Sequence, residues 1–111
     1  MDQAFQERWW TLEAMMVEKF GKKPNMETML YLIGINEFRG RTPKMKFSKE
    51  QKQDLMHVGV CTLLAQADYY ELKGYDEEGW PHYEEKNKVG AATLVEQEHL
   101  LKELMLHYFD I

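Results

Sequence analysis

The chain has 111 residues, 44% of them hydrophobic and 30% charged, the length of one domain with ordinary globular usage, which excludes a disordered chain and a fold dependent on covalent staples. Its one cysteine, Cys61, excludes an internal disulfide, and no CxxC pair or Cys/His quartet is present for a structural zinc. Net charge is −5, the opening MDQAFQERWW has no apolar leader core, and no uncharged apolar run reaches a bilayer span, so the expectation is a soluble cytoplasmic protein with no membrane partner.

In the first element, Phe5, Trp9, Leu12, Met16 and Phe20 step by four, three, four and four, the spacing of one helix face. Gly21 suits a left-handed helix end, Lys19, Lys22 and Lys23 suit the negative pole, and Pro24 cannot continue the helix. Asn25 then offers an N-cap to METMLYLIGINEF, apolar almost all round and hence expected to be central, with Gly40 as its stop. Gly34 inside this helix lowers its propensity by about 1 kcal/mol against alanine, which predicts the close approach of another backbone.

Arg41 to Phe47 reads as a loop around Thr42-Pro43, and Ser48 with Gln51 has capping-box spacing. The third helix places Leu55, Val58, Thr62, Ala65, Tyr69 and Leu72 on one stripe and Met56, Val60, Leu63 and Ala67 on another. Between it and the last helix, YYELKGY reads either as the last turns of helix three before Gly74 or as an extended arm that pairs with WPHYE in a β-hairpin, the reading adopted for the fold. Asp76 to Gly79 forms the turn, Gly79 takes a positive φ, and Pro81 confines its strand to an edge. Trp80 is expected to fold back onto the ends of helices one and three. Thr93 and Glu96 repeat the capping-box spacing. Leu94, Leu101, Leu104, Met105 and Tyr108 should form the inner face of the fourth helix, with His99, Glu103, Leu106 and Asp110 on its wet side. The expected fold is mainly α, one four-helix bundle-like domain over residues 1–111 with a short hairpin between helices three and four.

Charge is unevenly spread. Arg39 to Gln53 has six basic residues, Arg39, Arg41, Lys44, Lys46, Lys49 and Lys52, against Glu50. Glu71 to Glu85 has six acids against Lys73. The two runs read as separate solvated loops, or as a local dipole that orients a partner.

Three constellations could carry chemistry. Asp54-x-x-His57 and Glu96-x-x-His99 have the i, i+3 spacing of metal-binding bundles, but His99 is expected to face water and Asp54 lies in a helix's first turn. His57 and Cys61, at i, i+4, bring an imidazole to a thiol, which could lower the thiol's pKa; a cysteine in so apolar a helix is more often a small buried hydrophobe. Trp80, His82 and Tyr83 could line a shallow pocket with Glu71 for a cation or a basic peptide, where the alternative is a lid over the core. No phosphate-cradling glycine motif occurs, and no cofactor is implied.

The stretches METMLYLIGINEF, DLMHVGVCTLL and DEEGWPHYE together resemble small all-α bacterial proteins with no assigned activity, which implies a helical fold and nothing about chemistry. The helix order with a hairpin is also that of a winged helix, though an acidic wing would repel phosphate. The expectation is therefore a non-enzymatic association module or homodimer. Trp10, which lies off the buried stripe of helix one, and the aromatic cluster Tyr70, Tyr75, Trp80 and Tyr83 near the hairpin are its interface candidates. A nucleic-acid-binding winged helix is the alternative, and a metal- or small-ligand-binding bundle the third reading.

Overall fold

The structure is a computed structural model that describes residues 3–41, 46–91 and 93–111. Among the described residues, four helices and two strands follow one another as α1 (Gln3–Phe20), α2 (Met26–Glu37), α3 (Lys49–Ala65), β1 (Tyr70–Tyr75), β2 (Pro81–Glu85) and α4 (Leu94–Tyr108). The mainly α class and the hairpin between the third and fourth helices stand as expected. Lys44 and the Thr42-Pro43 pair lie outside the described residues. The chain divides into two units, Met1–Asn25 with Gly90–Ile111, and Met26–Val89.

In the first unit, α1 buries Phe5, Trp9, Leu12 and Met16, and Gly21 ends it at φ +83°. Phe20, assigned to the same face, is instead 49% exposed, because the helix ends there with no further turn to cover it. Helix α4 is capped by the Thr93 side chain, which accepts from the Glu96 N–H at 3.1 Å. Its buried face differs from the one expected. Leu106 is fully buried beside Met105, whereas Leu94 is 83% exposed in the first turn. The pair is tied by the Phe5 ring on the His99 ring, 4.7 Å between centroids, and by the Lys102 ammonium 5.1 Å from the Trp9 ring. Arg8 adds two hydrogen bonds, from Nε and Nη2 to the carbonyl oxygen of Ile111, at 3.1 and 2.8 Å.

The second unit is organised by a crossing of α2 and α3 at glycines. A Cβ built on Gly34 would lie 1.9 Å from the carbonyl oxygen of Leu55, and one on Gly59 would lie 2.3 Å from that of Leu30. The close approach expected at Gly34 is therefore present, and Gly59 supplies its counterpart. Around the crossing Met29, Ile33, Leu55 and Leu63 are buried. Helix α2 stops at Glu37, three residues before the expected stop; Gly40 is used instead where the chain presses against the backbone of Glu78 and Gly79. The capping box of α3 is complete: Ser48 Oγ accepts from the Gln51 N–H at 3.1 Å, and Gln51 Oε1 accepts from the Ser48 N–H at 2.9 Å.

The hairpin pairs Tyr70 with Glu85, Glu71 with Glu84, Leu72 with Tyr83, Gly74 with His82 and Tyr75 with Pro81, with an irregularity between Leu72 and Gly74. That irregularity leaves Lys73 outside the ladder. Its ammonium lies 3.3 Å from Glu71 and 3.7 Å from Glu84, so it neutralises two carboxylates that would otherwise repel each other directly across the strands. Leu72, expected on a buried stripe of α3, lies in β1 and is 41% exposed, since α3 has already ended at Ala65.

Candidate functional site

The turn of the hairpin is built by one carboxylate. Asp76 accepts from the N–H groups of Glu78 and Trp80 at 3.0 and 2.9 Å through Oδ1, and from His82 Nε2 at 2.9 Å through Oδ2. The Gly79 N–H donates to the Asp76 carbonyl at 3.0 Å, and Gly79 takes φ +93°, as the turn type requires. The bonds from His82, Trp80 and Glu78 hold the Asp76 carboxyl below its ordinary pKa of 3.8. A depressed folded-state pKa contributes stability above the unfolded value and loses it as pH falls through the folded one. The expected outcome of an acid titration followed by the Gly79 and Trp80 amide signals is loss of the turn below the ordinary carboxylate range. Asp76→Asn should flatten that dependence; an unchanged profile in the variant would contradict this role.

Trp80 meets a partner that the sequence did not suggest. Its ring packs at a 46° tilt against Phe38, just past α2, at 4.8 Å between centroids, and Phe38 meets Phe47 edge-on at 6.1 Å. Arg39 contributes to the same junction: its N–H donates to the Gly79 carbonyl at 2.9 Å and its guanidinium lies 4.1 Å from the Tyr75 ring centroid. The aromatic side chain that ties the hairpin to α3 is Tyr83. Its hydroxyl is 2.8 Å from Thr62 Oγ1, which donates its one proton to the Val58 carbonyl, so Tyr83 is the donor between them. Burial pushes the Tyr83 phenol pKa up.

Two hollows flank the turn and share Asp76, Glu78 and Trp80. One, of about 660 Å³, is lined on one side by Arg39 and Arg41 and on the other by Asp76, Glu77 and Glu78. The basic and acidic runs read from the sequence as separate loops thus meet across one opening, where their fields partly cancel. Of the remaining basic candidates, Lys46, Lys49 and Lys52 are exposed. The other hollow, of about 460 Å³, brings Trp80, His82 and Tyr83 of the hairpin to Asp54, His57 and Cys61 of α3. Glu71, expected beside them, does not line it and faces Lys73 instead, because the strand alternation turns it away.

Cys61 is 3% exposed, with Sγ 3.6 Å from His57 Nε2. Burial raises its thiol pKa, the opposite of activation, so the buried-hydrophobe reading describes it. Asp54 and His57 lie in the second unit and Glu96 and His99 in the first, and among the described residues no three Cys, His, Asp or Glu side chains converge as metal ligands. His99 is not on a wet face: it is half-buried against Phe5, with Nε2 3.0 Å from Glu103 and Nδ1 buried with no hydrogen-bond partner among the described residues. Trp10 is 59% exposed on α1, as its position off the buried stripe implies. No helix among the described residues is long and apolar enough to cross a membrane.

Sequence reasoning missed Phe38 as the partner of Trp80, Thr62 as the anchor of Tyr83, and Asp76 as the organiser of the turn. The last carried a local signal, since Asp followed two and four residues later by turn backbone is the pattern of an Asx turn. Comparisons with protein-family models, with curated proteins and with solved structures found no match.

Proposed function

We propose that the chain acts as a protein-association module and that its first partner is a second copy of itself. The observation that carries this reading is a second apolar stripe on α1, beside the buried one. Trp10, Ala14 and Val17, at i, i+4 and i+7, are all exposed, and Phe20, at the end of the neighbouring face, is also half exposed. Large apolar groups gathered in this way favour removal from water by roughly 25 cal/mol per Å² covered.

The stripe is self-complementary. In a two-fold antiparallel contact centred between Glu13 and Ala14, Trp10 of each copy lies opposite Val17 of the other, with the small Ala14 at the centre where backbones approach. In that register Glu7 falls opposite Phe20 and Glu18 opposite Trp9, and Glu13 is paired with Lys23 at 3.1 Å; the one like-charged pair along the helix is Arg8 opposite Lys19, and Arg8 is already engaged by the Ile111 carbonyl. Helix α1, with 18 residues, gives a contact face about 27 Å long.

Sedimentation velocity over a concentration series tests this. The expected result is a dimer for the native chain and a monomer for Trp10→Lys, with folding intact because the substituted side chain is exposed. Leu72→Lys, which changes an exposed apolar residue of the other unit, should leave the dimer unchanged. A monomeric native chain, or a dimer indifferent to Trp10→Lys, would overturn the proposal.

A further inference from the structure

The hollow between α3 and the hairpin combines aromatic faces with carboxylates, and among the described residues no lysine or arginine lines it. We propose that it binds an organic cation, an alkylammonium or alkylguanidinium group, carried by a small molecule or by a Lys or Arg side chain of another protein.

Its volume, about 460 Å³, lies within the range of small-ligand sites. Tyr70, Trp80 and Tyr83 present half-buried rings, and a ring face attracts a cation through its quadrupole. Asp54, Asp76 and Glu78 add carboxylates from two elements, so the negative potential comes from more than one side. Asp76 is also fixed in place: its three hydrogen bonds to the turn and to His82 set the direction of the carboxylate before any ligand arrives, which lowers the ordering cost of binding.

Other ligand classes fit less well. An anion finds no lysine or arginine among the described lining residues and would face three carboxylates, while the histidine of the turn, His82, is already bonded to Asp76 at 2.9 Å. A metal ion needs several donors converging at one point, and no three candidate ligands converge among the described residues. An organic cation needs neither, because its charge is spread over a flat or rounded group that aromatic faces and carboxylates can surround without coordinating it. Val58 and Pro81, also in the lining, offer apolar surface to the alkyl stem.

The test is a titration of ¹⁵N-labelled full-length protein with three probes: n-butylguanidinium, its neutral isostere n-butylurea, and the blocked tripeptide acetyl-Gly-Arg-Gly-amide. Saturable shifts are expected at amides within Asp54 to Cys61 and Asp76 to Tyr83, with butylurea weaker by about tenfold or more. Asp76→Asn keeps an oxygen for the turn N–H groups and should weaken the cation by about threefold or more; Asp54→Asn, which makes no turn contact, should do the same. Tighter binding of the tripeptide identifies a protein side chain as the occupant, and tighter binding of butylguanidinium identifies a free small cation. Equal affinity for butylurea, shifts centred elsewhere, no shift with either cation, or unchanged binding in both variants would overturn the proposal. The hollow lies wholly within Met26–Val89, so binding is expected to persist in Trp10→Lys whatever the outcome for self-association.

Discussion

Gly34→Ala is expected to destabilise the protein by about 3 kcal/mol, although alanine is the better helix former by about 1 kcal/mol. The new methyl carbon would fall 1.9 Å from the carbonyl oxygen of Leu55 and 2.6 Å from its carbonyl carbon. Those atoms belong to the backbone of α3 and cannot rotate away as a side chain could, so α2 and α3 must separate. Separation loosens Ile33, Leu55 and Leu63, each fully buried around the crossing. Urea unfolding should show a lower midpoint with little change in slope. At Gly90 a Cβ would meet nothing within 4 Å, and the same substitution should be nearly neutral. The double variant Gly34→Ala with Gly59→Ala should cost less than the sum of the singles, because the first methyl already opens the space that the second needs. A rise in stability for Gly34→Ala, the usual result in an open helix, would show that the helices do not cross at these glycines.

Leu106→Ala should cost about 2–5 kcal/mol, while Leu94→Ala should stay within about 0.5 kcal/mol of the native chain. The two leucines differ in their surroundings: Leu106 is fully buried, and Leu94 is 83% exposed at the start of α4. Truncating the first leaves a cavity among neighbours that cannot fully close around it, and truncating the second removes a side chain that water already surrounds. The pattern expected from the sequence is the reverse, with Leu94 inside and Leu106 outside, so thermal or urea unfolding of the two variants decides between the two faces of α4.

What could be read from the sequence was local chemistry. Residue spacing gave the buried face of α1 through Met16, and side-chain capping gave the starts of α3 and α4. The positive φ of Gly79 followed from turn requirements, and Gly34 announced a backbone contact because nothing in its own helix explained it. The face of α4 was less legible because leucines at 94, 100, 101, 104 and 106 surround the helix on more than one side, and the apolar pattern alone does not choose among them. The end of α3 carried no glycine or proline signal. Asp68 takes the left-handed position at φ 65°, a conformation that Asp tolerates but does not advertise.

The candidate site was legible in part. Trp80, His82 and Tyr83 were singled out together and do line one hollow, and His57 with Cys61 shares it. Their convergence needed the hairpin to be laid against α3, which no spacing within either element expresses. Trp80 found Phe38 and Tyr83 found Thr62 through contacts between residues 42 and 21 positions apart. The opposite fate of the charged runs has the same origin, since only the docking of the hairpin tip beside Arg39 brings acid and base to one opening.

Native mass spectrometry of the full chain, purified without a metal-affinity step, tests the proposed function most directly, since subunit number is read from mass alone. The expected spectrum is that of a dimer that dissociates to monomer on dilution and is absent in Trp10→Lys. A native chain that remains monomeric at the highest concentration sprayed would contradict self-association through α1.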